Sequence, residues 1–141
     1  MGRPPRILAR LGEPSLEEVC LPSRPESAAL ARRLAGSVLR RHWALPTEQV
    51  ENGVLLVSEL VGNAVRHTGA RAFGLRMLRR RGWARVELRD PSRGLPCLLP
   101  VQEMDVSGRG LFLVNRLSDR WGVDLHDRGK ITWFEMRVME R

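Results

Sequence analysis

Residues 54–67 read VLLVSELVGNAVRH, and this stretch decides the fold. A run this apolar over such a length predicts a largely buried helix. Within it Glu59, Asn63 and His67 are spaced four apart, so their side chains form one polar stripe along the helix. An acid and an amide one turn apart suit a Mg²⁺ site beside a reacting group, because Mg²⁺ prefers few protein oxygens together with substrate phosphates. The alternative is that the stripe faces solvent and that His67 complements the helix dipole.

The segments before this helix predict a strand and a first helix. A short strand is expected over 16–21, and Ser23 with Glu26 fits a capping box, with Pro25 tolerated in the first turn. The decisive helix then covers 47–67. The first helix is expected to bury one apolar face, made of Ala31, Leu34, Ala35, Val38 and Leu39.

The segments after it predict two hairpins. The first joins two alternating strands at Gly82, and the second joins 121–125 to 131–138 around residues 127–129. Residues 91–107 are rich in proline and predict a long loop, followed by a third helix from Gly110. The first two strands should each present one apolar face, made of Phe73, Leu75 and Met77 and of Ala84, Val86 and Leu88.

The length and composition favour one compact unit. The chain has 141 residues, of which 43% are hydrophobic, so we expect a flexible arm over 1–14 and a single domain over 15–141. No apolar run reaches bilayer length, and the first residues lack the apolar core of a signal peptide, so we expect a cytoplasmic protein. Cys20 and Cys97 do not form a metal-binding spacing and are expected to be free thiols.

The formal net charge of +8 raises the possibility of nucleic-acid binding. Lys130 is the only lysine, and the arginines are spread along the chain with a single run at 79–81, next to a turn glycine. No interleaving of aromatic and basic residues typical of single-strand binding is present. A nucleic-acid-binding domain is therefore the minor hypothesis.

Two further positions carry candidate chemistry. Asp90 is in phase with the apolar face of its strand, so its carboxylate points inward and needs a partner such as a purine amino group; alternatively it bonds its own turn. Gly108, Arg109 and Gly110 open the last predicted helix, where backbone N–H groups and a guanidinium suit a phosphate. A glycine pair at such a junction also commonly serves backbone geometry alone.

In this order the motifs resemble a known family. Residues 59–67, ELVGNAVRH, resemble the N box of the Bergerat-fold (GHKL) ATPases. Residues 90–94, DPSRG, resemble their first glycine box, and residues 108–111, GRGL, resemble the second. The closing segments 121–123 and 129–135 are similar to the small stand-alone members, which are the anti-sigma-factor serine kinases of partner-switching systems.

The resemblance spans residues 16–138 and implies an α+β fold, a two-layer α/β sandwich with a mixed sheet and helices on one face. It also implies ATP and Mg²⁺ as cofactors. Asn63 would coordinate the Mg²⁺, Glu59 would act as general base toward a serine hydroxyl, and Asp90 would accept from the adenine amino group, with Gly94 giving the base room.

The phosphates would be held by the second glycine box under a lid formed by residues 95–107, with Arg66 and His67 nearby. The positions of that box are Gly108, Arg109, Gly110 and Leu111. The implied function is a serine/threonine protein kinase and anti-sigma factor, whose partners are a sigma factor or a STAS-type anti-anti-sigma protein, with a possible homodimer. The rival hypotheses are a nucleotide-sensing regulator without phosphoryl transfer and the nucleic-acid-binding domain.

Three positions depart from the family pattern. Ser92 replaces the first glycine of its box, and Asp105 stands where the lid commonly has an arginine. Ile131 occupies the place of a threonine near adenine, and Thr132 is expected to point to the other face. These changes bear more on catalysis than on nucleotide binding.

Overall fold

The computed structural model describes residues 12–91, 117–127 and 129–138. Five strands and two main helices follow one another in these ranges. They are β1 (Val19–Pro22), α1 (Glu26–Ser37), a π-helical turn (Val38–His42), α2 (Thr47–His67), β2 (Ala72–Arg80), β3 (Trp83–Asp90), β4 (Arg120–His126) and β5 (Gly129–Arg137).

The five strands form one sheet in the order β1-β2-β3-β5-β4, and every neighbouring pair is antiparallel. The α+β class is confirmed, but the expectation of a mixed sheet was wrong for the described strands. The two helices connect β1 to β2, and β2 runs antiparallel to β1. The strands β3 and β4 do run parallel, yet β5 lies between them, so no parallel pair forms.

The core lies between the helices and one face of the sheet. The predicted apolar face of the first helix is buried, and so are both predicted apolar faces of β2 and β3. From β5, Phe134 and Met136 join them. The periodicities of the sequence therefore identified the buried faces correctly, because period two and period 3.6 each allow only one face to pack inward.

The start of the first helix differs from the prediction. Its N-cap is Pro25, which has no capping side chain, so the capping box of Ser23 and Glu26 was wrong. Ser23 instead donates its backbone N–H to the carbonyl of Arg71, which continues the pairing beside β1. Strand β1 also begins three residues later than expected, because residues 14–16 form a turn.

The turns and the outer segments complete the description. Gly82, in the first hairpin turn, has φ = 78°, a conformation that favours glycine. Pro14 is buried and its carbonyl accepts from the N–H of Met77 at 2.9 Å, whereas the limits of the arm and the domain stay predictions. Cys20 is exposed with a free thiol. None of the helices in the described ranges has the length and apolarity needed to span a membrane.

Candidate functional site

The polar stripe of α2 is partly enclosed by the fold. Asn63 has only 8% of its surface exposed, while Glu59 and His67, one turn on either side, are half-buried. The reading in which the whole stripe faces solvent is therefore wrong for Asn63. A buried amide is costly unless its polar atoms are bonded, so the position of Asn63 requires partners.

Arg66 supplies one of those partners. Its Nη2 donates to Oδ1 of Asn63 at 2.7 Å. The guanidinium lies across Gly62, where an added Cβ would be 3.2 Å from Nη1 of Arg66. Because a carbonyl oxygen has two lone pairs, this bond leaves Oδ1 with the capacity to bind a cation as well.

Asp90 forms the second part of the site together with Lys130, which was not among the predicted site residues. Lys130 lies directly opposite Asp90 in the register of β3 and β5, and its Nζ is 4.0 Å from Oδ2 of Asp90. Both residues are buried, at 4% and 6% exposure. The expectation that Asp90 points inward is confirmed, and its carboxylate faces an ammonium group there.

The sequence did contain a signal for Lys130. It is in phase with Phe134 and Met136, which lie on the buried face of β5. A lone lysine on the apolar phase of a strand needs a buried counter-charge, and the pairing of β3 with β5 in the structure places the carboxylate of Asp90 opposite it.

The turn before Lys130 brings two segments of the main chain into close contact. Gly129 has φ = 132°, and a Cβ added there would lie 1.9 Å from the backbone oxygen of Asp90. No other residue type fits this position without moving the end of β3. Gly129 therefore fixes the start of β5 against the residue that carries the buried carboxylate.

The assignment of faces on β5 corrects one expectation. Ile131 pairs with Arg89 and lies on the outer face of the sheet, where it borders Glu18 and Arg76. Thr132 pairs with Leu88 and shares the inner face with Asp90. The two residues point to opposite faces as expected, but the face that carries Asp90 belongs to Thr132 and not to Ile131.

The two parts of the site lie at one end of the molecule. Helix α2 ends at His67, and β2 begins only five residues later at Ala72. Close to this start, Gly74 pairs with Arg89, the residue before Asp90. The C-terminal turn of α2 and the buried pair of Asp90 and Lys130 therefore lie at the same end of the sheet, and α2 packs against β3.

Comparison with known proteins identifies the family of the chain. A family model described as "Histidine kinase-like ATPase domain" matches residues 21–136, which is most of the chain. The chain belongs to this family. Members of the histidine kinase-like ATPase family bind ATP with Mg²⁺, and they include anti-sigma factor kinases. No curated protein matches the chain.

Among solved structures, the chain is similar to the histidine kinase domain from the Erythrobacter litoralis EL346 blue-light activated histidine kinase. The two share 21% identity with a TM-score of 0.52, over 90% of this chain and 65% of that chain. This chain thus spans slightly less than two thirds of that structure, and at this identity the likeness concerns the fold.

The donor groups of the described residues fit an ATP-binding member of this family. The amide oxygen of Asn63 is an oxygen ligand of the kind that Mg²⁺ prefers, and no cluster of three or more His, Cys, Asp or Glu in the described ranges forms a metal site of another kind. The buried carboxylate of Asp90 offers acceptors at the same end of the fold.

Several predicted site residues lie outside the described ranges. They are Gly94, Gly108, Arg109, Gly110 and Leu111, together with the lid over 95–107 and the departures Ser92 and Asp105. Their roles stay predictions of the sequence. The described part of the site consists of Glu59, Asn63, Arg66, His67 and Asp90, to which the structure adds Lys130.

Proposed function

We propose that this chain is a serine/threonine protein kinase of the anti-sigma-factor type, which uses Mg²⁺ and ATP to phosphorylate a STAS-type partner. The observation that carries the proposal is the buried amide of Asn63, one turn after Glu59, at the end of the fold that also holds the buried Asp90. Membership of the ATPase family supports the nucleotide. A sigma factor as the second partner and a homodimer follow from the sequence resemblance alone.

The described side chains would contact different parts of the Mg²⁺–ATP complex. Asn63 would bind Mg²⁺ through Oδ1, and Asp90 would accept from the adenine amino group. Arg66, whose guanidinium already lies beside Asn63, would contact the phosphates together with His67. When bound, the metal ion neutralises charge on the phosphates, which is the main requirement of phosphoryl transfer.

Glu59 is the candidate general base. It lies one turn before Asn63 on the same stripe and is half-buried, so its carboxylate is near the metal-binding amide and open to a protein substrate. Glu59 would take the proton from the serine hydroxyl while the serine oxygen bonds to the γ-phosphorus of ATP and the bond from that phosphorus to ADP breaks. General bases of this kind contribute about 10²–10⁴-fold to rate and little to nucleotide affinity.

A nucleotide-sensing regulator without transfer is the second candidate, and one observation favours it. Both side chains proposed to read the nucleotide already have cationic neighbours, Arg66 beside Asn63 and Lys130 beside Asp90. Of the two, the guanidinium of Arg66 supports the binding of anionic phosphates without adding a catalytic group. In this case the chain would bind its partner according to nucleotide state and leave the serine unmodified.

Phosphorylation of a purified STAS-domain protein with labelled ATP and Mg²⁺ separates the two candidates. The parent chain should form phosphoserine, and Glu59→Ala should lower the rate by about 10²–10⁴-fold while keeping ATP affinity. Glu48→Ala is the matched control, because Glu48 is exposed in the first turn of the same helix. If the parent chain binds the partner tightly yet never transfers phosphate, the sensor replaces the kinase.

A further inference from the structure

A groove of about 520 Å³ opens to solvent between α1 and α2. Its walls carry four exposed arginines, namely Arg32, Arg33, Arg40 and Arg41. Its floor is formed by small apolar groups, including Val54 of α2 and the buried Gly36 of α1, where an added Cβ would already touch Val54 at 3.5 Å. The groove thus combines an apolar floor with cationic walls.

The helical fold gathers these arginines, which form two adjacent pairs separated by six residues in the sequence. Ala29, Arg33, Gly36 and Arg40 follow one another at intervals of four, three and four residues, which keeps them on one helix face. The π-helical turn Val38–His42 widens the end of this helix, and Arg41 lines the groove as well. Such turns occur frequently at functional sites. The guanidinium groups at 33 and 40 are about two turns, or about 10 Å, apart along the axis.

The described part of the chain does not neutralise this charge. Within residues 12–91, 117–127 and 129–138, none of the four arginines forms an ion pair with a carboxylate. Arg32 donates from Nη1 to the neutral Oγ of Ser58 at 2.9 Å. By contrast, the arginines of the outer sheet face, such as Arg85 and Arg120, do reach carboxylates. Concentrated like charge of this kind favours an acidic partner.

The groove is also separate from the nucleotide end. Val54 and Asn63 are nine residues apart on α2, so they lie about half a turn from each other around the helix axis. Changes in the groove and changes at Asn63 are therefore expected to act independently, and binding in the groove does not require ATP.

We infer that this groove binds an acidic amphipathic helix of a protein partner. The apolar side chains of that helix would lie on the floor between α1 and α2, and carboxylates about seven residues apart would pair with Arg33 and Arg40. The apolar floor favours this occupant over nucleic acid, because phosphate contacts need cations and gain nothing from Ala29, Gly36 or Val54.

Fluorescence anisotropy with designed peptides tests this inference. The probe is a labelled peptide of about 18 residues, about five helical turns, with leucines along one face and glutamates flanking them. It should bind the parent chain, and Arg33→Glu combined with Arg40→Glu should weaken binding at least about tenfold. The matched control is Arg80→Glu with Arg81→Glu, because each pair lowers the formal net charge from +8 to +4 and Arg80 and Arg81 are exposed at a turn.

Further measurements distinguish an acidic amphipathic helix from other ligands. A peptide with serine in place of leucine should bind at least about tenfold more weakly, and a duplex DNA of about 20 base pairs should bind less tightly than the acidic peptide. Arg33→Gln with Arg40→Gln should also weaken peptide binding, and its thermal midpoint should equal that of the parent chain. This second variant keeps the test valid if the double change to glutamate prevents folding. Asn63→Ala should leave peptide affinity unchanged.

Three outcomes would overturn the inference. Equal peptide affinity in the groove variant and in the turn control would show that only net charge matters. Equal affinity for the serine peptide and the leucine peptide would show that the apolar floor does not contribute to binding. Tighter binding of duplex DNA, lost when Arg33 and Arg40 are reversed, would identify the groove as a nucleic-acid site instead.

Discussion

Lys130→Met tests whether the buried pair of Lys130 and Asp90 is an essential part of the fold. Methionine keeps most of the length of the lysine chain and removes only the charged end. The side chains are 8% and 5% exposed, and Nζ lies 4.0 Å from Oδ2. At an effective dielectric constant of about 20, two unit charges at this distance attract by about 4 kcal/mol.

The loss expected from the single change is about 3 kcal/mol of unfolding free energy, because the buried carboxylate of Asp90 loses the ammonium group that lies opposite it. Asp90→Asn should cost a similar amount for the converse reason. The double variant, Asp90→Asn with Lys130→Met, should be much less destabilised than the sum of the two, since it leaves no isolated charge.

Urea denaturation followed by tryptophan fluorescence measures these free energies, since Trp83 and Trp133 lie within the sheet. Arg89→Met is the matched control. Arg89 also pairs with a carboxylate, that of Glu18 at 2.6 Å, but both side chains are more than a third exposed. An exposed pair of this kind should contribute less than about 1 kcal/mol.

Two results would refute this reasoning. One is a Lys130→Met variant that loses no more stability than Arg89→Met, which would mean that burial of the pair has no energetic consequence. The other is a double variant as unstable as the sum of its single changes, which would mean that Lys130 and Asp90 do not interact.

Three shorter predictions concern other described contacts. Gly129→Ala should cost about 2 kcal/mol or more, because φ is 132° and the new Cβ would lie 1.9 Å from a main-chain oxygen; an unchanged thermal midpoint would contradict that contact. Asn63→Ala should weaken Mg²⁺–ATP binding at least about tenfold in calorimetry, and an equal loss in excess EDTA would contradict a role of Asn63 as a metal ligand. Arg85→Met should cost about 1 kcal/mol in urea denaturation, because Arg85 lies 4.3 Å above the ring centroid of Trp133 and bonds Glu135; a stability equal to that of the parent chain would show that these contacts are neutral.

Much of the fold was readable from local pattern. The helix over 47–67 was predicted with the bounds that the structure has, because its apolar face is long and a Thr68-Gly69 pair ends it. Both hairpins follow from alternation around Gly82 and Gly129. The inward direction of Asp90 followed from the same parity and is confirmed.

The features that were not predicted depend on contacts between distant segments. A strand order in which β5 separates β3 from β4 is invisible to local periodicity. The faces of Ile131 and Thr132 depend on register, where one residue reverses the side. The four arginines of the groove were interpreted as scattered, because their common face depends on the helical fold of residues 26–42, and only the packing of α1 against α2 places Val54 beside them.

The position of β5 in the sheet also bears on how the chain reaches its native state. Of the described strands, the one that is translated last, β5, lies inside the sheet, between β3 and β4. During synthesis β3 therefore keeps an unpaired edge, and β4 has no neighbour, until β5 emerges from the ribosome. Exposed strand edges invite pairing with other chains, so the nascent protein is most prone to aggregation at this stage. The contact between Asp90 and Lys130 can form only after translation of β5, so the end of the sheet that carries Asp90 is completed late.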